Sequence, residues 1–110
     1  MIRDIDAVIT DLEVNGWSVI KKVAIGIPSA DVVLEARKKN RNILVYPVGI
    51  FPDRNYIMID RKLISDLKFY ARRHKIEVYV AVSFGASWIY KSIENLQDAT
   101  VYRSEIGDLI

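Results

Sequence analysis

Few side chains in this sequence can do chemistry, and the carboxylate with the most suggestive setting is Asp31. It sits at the start of an alternating segment, Ala30 to about Arg37, which a short basic run joins to a second such segment ending at Val48. A carboxylate can serve as an oxygen ligand to a hard divalent cation. Its plainer role is to accept backbone hydrogen bonds near Ser29 or Ala30. Glu35 shares the face of Asp31, yet four residues along a strand span about 13 Å, so the two cannot hold one metal. Zero cysteines exclude disulfides and thiolate sites, and a single histidine argues against zinc. That histidine, His74, ends a helical pattern, where an imidazolium favours the helix dipole. A ribonuclease site built from Tyr, His and Lys has no support in the pattern around it.

The second chemistry available is phosphate contact. A net charge of +2 is too small to announce a nucleic-acid binder, so the distribution decides. Arg37, Lys38, Lys39 and Arg41 crowd one short loop, and Arg61, Lys62, Lys68, Arg72 and Arg73 load a later helix. The tail instead carries Glu94, Asp98, Glu105 and Asp108. The candidate DNA-binding residues are Lys21, Lys22, Arg37, Lys38, Lys39, Arg41, Arg61 and Lys62. Their contacts would be blind to sequence and steeply salt-dependent. The competing reading of the tip is a solvated turn.

These residues must be positioned by elements whose periods are legible. Ile2, Ile5, Val8, Ile9 and Leu12 recur at helical spacing, and Asn15-Gly16 ends that helix. A first strand runs from Trp17 to about Ile25. The second, Ala30 to about Arg37, sets Val32, Leu34 and Ala36 on one face and Asp31, Val33 and Glu35 on the other. Lys38 to Asn42 makes the turn. A third strand, Ile43 to Val48, places Leu44, Tyr46 and Val48 together, and Pro47 is expected to distort or stop it. Asp60 caps a helix whose apolar stripe is Leu63, Ile64, Leu67, Tyr70 and Ala71. Ile76 to Phe84 alternates cleanly as a fourth strand, and a short fifth lies around Trp88-Ile89-Tyr90. Beyond Ser92 the expectation is one helical turn over Ile93 to Gln97 and an extended piece near Val101-Tyr102. Phe51, Phe69 and Trp88 fall outside the stripes and are expected at a dimer contact.

The order α, three strands, α, two strands, together with several local strings, resembles the archaeal Holliday junction resolvases of the PD-(D/E)XK nuclease superfamily. The strings are Asn15-Gly16-Trp17-Ser18-Val19, Ala30-Asp31-Val32-Val33, Leu67-Lys68-Phe69-Tyr70-Ala71-Arg72-Arg73, Val80-Ala81-Val82-Ser83-Phe84 and Trp88-Ile89-Tyr90. The resemblance implies a restriction-endonuclease-like αβββαββ fold, with a mixed sheet flanked by helices, and a two-fold homodimer. It also implies a catalytic set of a first-helix glutamate, a motif aspartate, and an acid and lysine two residues apart on the third strand. Of these only the aspartate is present, as Asp31. Ile5 stands at the glutamate position, and Tyr46 and Val48 stand where the acid and lysine belong. Asp31 plus a strand-three backbone carbonyl would be a poor Mg²⁺ site, and hydrolysis of a phosphodiester needs the metal to activate water and stabilise charge.

Three readings stay open on these residues. The first is a catalytically inactive homologue that binds branched or duplex DNA, or recombination partners, and needs no cofactor. The second is a Mg²⁺-dependent endonuclease whose carboxylates have migrated, using Asp4 or Asp6, Asp31 and Lys38 or Lys39. The third is a protein-interaction subunit without DNA binding. At 110 residues, 51% hydrophobic and 27% charged, the chain reads as one domain, 1–110. No apolar run is long enough to span a bilayer and no signal peptide is evident, so a cytoplasmic protein with no membrane partner is expected.

Overall fold

The computed structural model describes residues 3–108 and 110; Ile2 of the predicted apolar stripe lies outside them. Helix α1 (Ile5–Val14) starts where Asp4 caps it, its Oδ1 accepting from the Ala7 amide at 2.9 Å. Val8 and Leu12 are buried on its inner face. Gly16, at φ +93°, supplies the left-handed residue that turns the chain out of the helix.

Three antiparallel strands follow, β1 (Ser18–Val23), β2 (Val32–Lys38) and β3 (Arg41–Ile50). Next come β4 (Tyr56–Met58), helix α2 (Arg61–His74), β5 (Glu77–Ser83) and β6 (Trp88–Ser92). A 3-10 turn over Ile93–Asn95 leads to β7 (Thr100–Tyr102). The main sheet has the order β1-β2-β3-β5-β6. Its β3–β5 pair is parallel, a geometry that requires a crossover, and α2 supplies it. The architecture is therefore the expected mixed sheet with helices on both sides.

The alternation of the strands sorts their side chains into two cores. Leu34, Ala36, Ile43, Val45, Tyr79 and Ala81 pack with Val8, Leu12 and Trp17 on the α1 side. Val33, Leu44, Val78, Val80 and Val82 pack with Leu63, Ile64, Leu67 and Ala71 on the α2 side. Asp60 caps α2 as expected, and Lys75, at φ +52°, closes it in a left-handed conformation. His74 ends α2 with its ring 4.2 Å from that of Tyr70, the structural setting expected of it.

Three details depart from the sequence-based expectation. The hairpin turn is only Lys39–Asn40, because Lys38 and Arg41 are still paired. Strand β3 is distorted at Pro47 as expected, with a register shift against β5 between Pro47 and Gly49, but it does not stop there and runs on to Ile50. Proline is tolerated there because the β2–β3 ladder ends at Leu34–Val45, so no β2 partner awaits the missing N–H. Finally, Tyr56 to Met58 is a strand that pairs with β7 in a separate two-stranded ribbon. Three-residue strands carry too little alternation to announce themselves. Among the described residues no helix is long and apolar enough to cross a membrane.

Candidate functional site

Where β2 and β3 part, the gap between them is bridged by one side chain. Arg3, just ahead of α1, donates from Nη1 to Asp31 Oδ2 at 2.5 Å and from Nε to the Pro47 carbonyl at 2.9 Å. Its guanidinium carbon also lies 5.0 Å from the centre of the Tyr46 ring, within cation–π range. A single cation thus joins the lip of β2 to the backbone and the aromatic face of β3. Continuing the β2–β3 register past Leu34–Val45 would set Asp31 opposite Val48, so Asp31, Tyr46 and Val48 all border this fork. Ile5 does not, since it packs against the core on the α1 side.

The electrostatics follow from this geometry. Hydrogen bonding from Arg3 holds the Asp31 carboxyl below the usual carboxylate range, reinforced by the Val32 amide, which donates to Oδ1 at 2.8 Å. Burial pushes the Tyr46 hydroxyl up, against the pull of the nearby guanidinium. Because the folded-state value of Asp31 is depressed, its contribution to stability is present above its unfolded value of 3.8 and is lost as pH falls through the lower folded value. The expected outcome of Arg3→Gln is an upward move of the Asp31 midpoint, read by NMR titration of its side-chain carboxyl. An unchanged midpoint would show that Arg3 does not hold Asp31 in solution.

The fork does not fit a divalent metal. It offers a single carboxylate, whose Oδ2 accepts from Arg3 and Oδ1 from the Val32 amide, and the neighbouring Pro47 carbonyl also accepts from Arg3. Among the described residues no three acidic or imidazole side chains converge anywhere. Two members of the migrated set have other partners. Asp4 caps α1, and Lys38 is drawn away to the Asn15 carbonyl at 2.9 Å.

The predicted DNA-binding residues are divided by their partners. Glu35 takes both Lys22, at 2.9 Å, and Arg37, at 3.1 Å. Lys38 and Arg41 turn toward the α1 side, each 5.4 Å from the Trp17 ring, and Arg41 also pairs with Glu77 at 2.9 Å. Lys62 reaches Asp66, one turn along α2, at 2.9 Å. Lys21, Lys39 and Arg61 have no ion pair among the described residues. Arg61 instead joins Lys68, Arg72 and Arg73 along a groove beside α2. The register brings the C-terminal end of α2 to the same end of the sheet as the hairpin tip, since Glu77 pairs with Ile43.

Solved structures supply the comparison that bears on this geometry. Archaeoglobus fulgidus Hjc, a Holliday junction resolvase from an archaeal hyperthermophile, superposes with a TM-score of 0.67 over 90% of this chain and 80% of that one, at 19% identity. The fold is that of a junction resolvase. No family model matches the sequence, and no curated protein does either. The resolvase fold is therefore shared at the level of backbone architecture, and the site must be judged on its own residues.

Arg3 is the site residue that sequence reasoning missed. One signal was available: it is the only basic side chain before Lys21, in a segment that also holds Asp4, Asp6, Asp11 and Glu13. Of the aromatics expected on the surface, only Phe69 is exposed. Phe51 and Trp88 are half-buried at the margins of the two cores.

Proposed function

We propose that this protein binds branched or duplex DNA without cutting it, as a non-hydrolysing relative of the junction resolvases. The observation that carries this reading is the Arg3 bridge. Asp31 Oδ2 and the Pro47 carbonyl are both hydrogen-bonded to a guanidinium, and Asp31 Oδ1 accepts from the Val32 amide. A phosphodiester at the fork would meet a guanidinium already paired with Asp31, which cannot generate a hydroxide nucleophile. The resemblance also implies a two-fold homodimer and recombination proteins as partners, and both belong to the same proposal. Light scattering reads the first.

The test is a labelled four-way junction incubated with the protein and Mg²⁺ or Mn²⁺ at low salt. The expected result is a retarded, uncut junction. Metal-dependent cuts abolished by Asp31→Ala would establish the endonuclease reading instead, and no retention would favour an interaction subunit. Tyr46→Glu combined with Val48→Lys is also expected to leave the junction intact, because Arg3 still holds Asp31 and the Pro47 carbonyl.

A further inference from the structure

The outer side of α2 and the segment before β7 enclose a groove of about 780 Å³ that shares no residue with the Arg3–Asp31 fork. Arg61, Lys68, Arg72 and Arg73 line it against a single acid, Asp98. Arg72 is shared with Glu94 across an exposed pair at 3.1 Å, while Arg61, Lys68 and Arg73 have no ion pair among the described residues. From Arg61 to Arg73 the cations cover about 18 Å of helix axis, at about 1.5 Å per residue. That length suits a run of phosphates better than a single anion.

Phe69 stands among these cations with 64% of its surface exposed. The floor beneath is different: Ile64, Leu96 and Ala99 are each less than a tenth exposed, so little apolar surface is left to cover. Ala99, which lines the groove, leads into the β4–β7 ribbon, whose Tyr56 and Tyr102 lie outside the groove lining and are half exposed with ring centres 6.0 Å apart. The ligand called for carries regularly spaced anions and presents free aromatic faces.

We propose that the α2 groove binds a single-stranded stretch of DNA, with phosphates on Arg61, Lys68 and Arg73 and a base stacked on Phe69. Single strands are held in this way, by a cationic track with aromatic platforms. A duplex keeps its base faces inside the stack and would leave Phe69 without a partner. A second copy of the chain would bring two cationic walls together, and an acidic amphipathic helix needs the apolar floor that is missing. The inference rests on the reading of the protein as a DNA binder and names the DNA element that this face takes.

Fluorescence anisotropy with a labelled oligothymidine of about 12 nucleotides, a duplex of equal length and the four-way junction tests it. The oligothymidine is expected to bind more tightly than the duplex. Phe69→Ala and Phe69→Leu should each weaken oligothymidine binding about tenfold and leave duplex binding within about twofold, because stacking on the ring is lost in both. Lys68→Ala should flatten the salt dependence of oligothymidine binding by about 0.7 in log–log slope.

Duplex binding equal to oligothymidine binding, or wild-type affinity in Phe69→Leu, would overturn the inference. So would polyglutamate binding as tightly as the oligothymidine, or a dimer that Phe69→Ala converts to monomer in light scattering. Junction binding without oligothymidine binding removes this inference and leaves the DNA-binding reading standing. Failure of all three DNAs removes both.

Discussion

Junction binding is expected to weaken by about two orders of magnitude as monovalent salt rises from about 50 to about 200 mM. The magnitude follows from the cations that folding leaves available. Lys22, Arg37, Arg41 and Lys62 are already held by Glu35, Glu77 and Asp66 and release few further counterions on meeting a phosphate. Lys39, Arg61, Lys68 and Arg73 have no such partner among the described residues. Each should contribute about −0.9 to the slope of log affinity against log salt. Arg61→Ala should therefore flatten the slope by about that amount, while Lys22→Ala should change it by less than about 0.5. A salt titration by anisotropy measures both. A total slope shallower than about 1, or equal effects of the two variants, would show that the ion pairs do not sort the cations.

Leu67→Ala is expected to lower the free energy of unfolding by about 2–5 kcal/mol. Leu67 has no exposed surface and shares the α2-side core with Leu44, Val78 and Val80. Removing it takes away apolar burial and leaves a cavity between the helix and the parallel pair β3–β5, which α2 itself connects. For a domain of this size the loss corresponds to a drop in Tm of roughly 10 °C or more. Denaturant and thermal melts would record it, with Lys39→Ala within about 0.5 kcal/mol as the surface comparison. A loss below about 1 kcal/mol for Leu67→Ala would mean that α2 is not packed as described.

The elements that carry both predictions were largely legible in the sequence. Alternation placed Leu34 and Ala36 opposite Val33, and Ile43 and Val45 opposite Leu44 and Tyr46, and the two cores divide them in that way. The stripe Leu63, Ile64, Leu67 and Ala71 became the buried face of α2, and Asp60 its cap. These features repeat within a few residues, so they can be read from neighbours alone. Pro47 shows the limit of that reading. Its effect depended on whether β2 was still paired beside it, which local pattern does not tell.

The candidate site was legible only in outline. Asp31, Tyr46 and Val48 were identified as residues bordering one place, but the side chain that occupies it comes from another part of the chain. Arg3 reaches Pro47 across 44 residues, and no periodicity links the two. The basic tip looked like one patch because its members are adjacent in sequence. Strand alternation sends adjacent side chains to opposite faces, so Arg37 meets Glu35 while Lys38 and Arg41 settle around Trp17.

The sequence by itself thus determined the order of the two helices and the five strands of the main sheet, the faces of those strands and the absence of a carboxylate–lysine pair on β3. All of these are written in residue type and short-range spacing. Tertiary structure alone decided that Arg3 fills the fork, which cations remain free, and that Leu96, Asp98 and Ala99 face the α2 cations and Phe69 across one groove. Those outcomes depend on contacts between segments far apart in the chain, and such contacts exist only once the sheet and its two helices have packed.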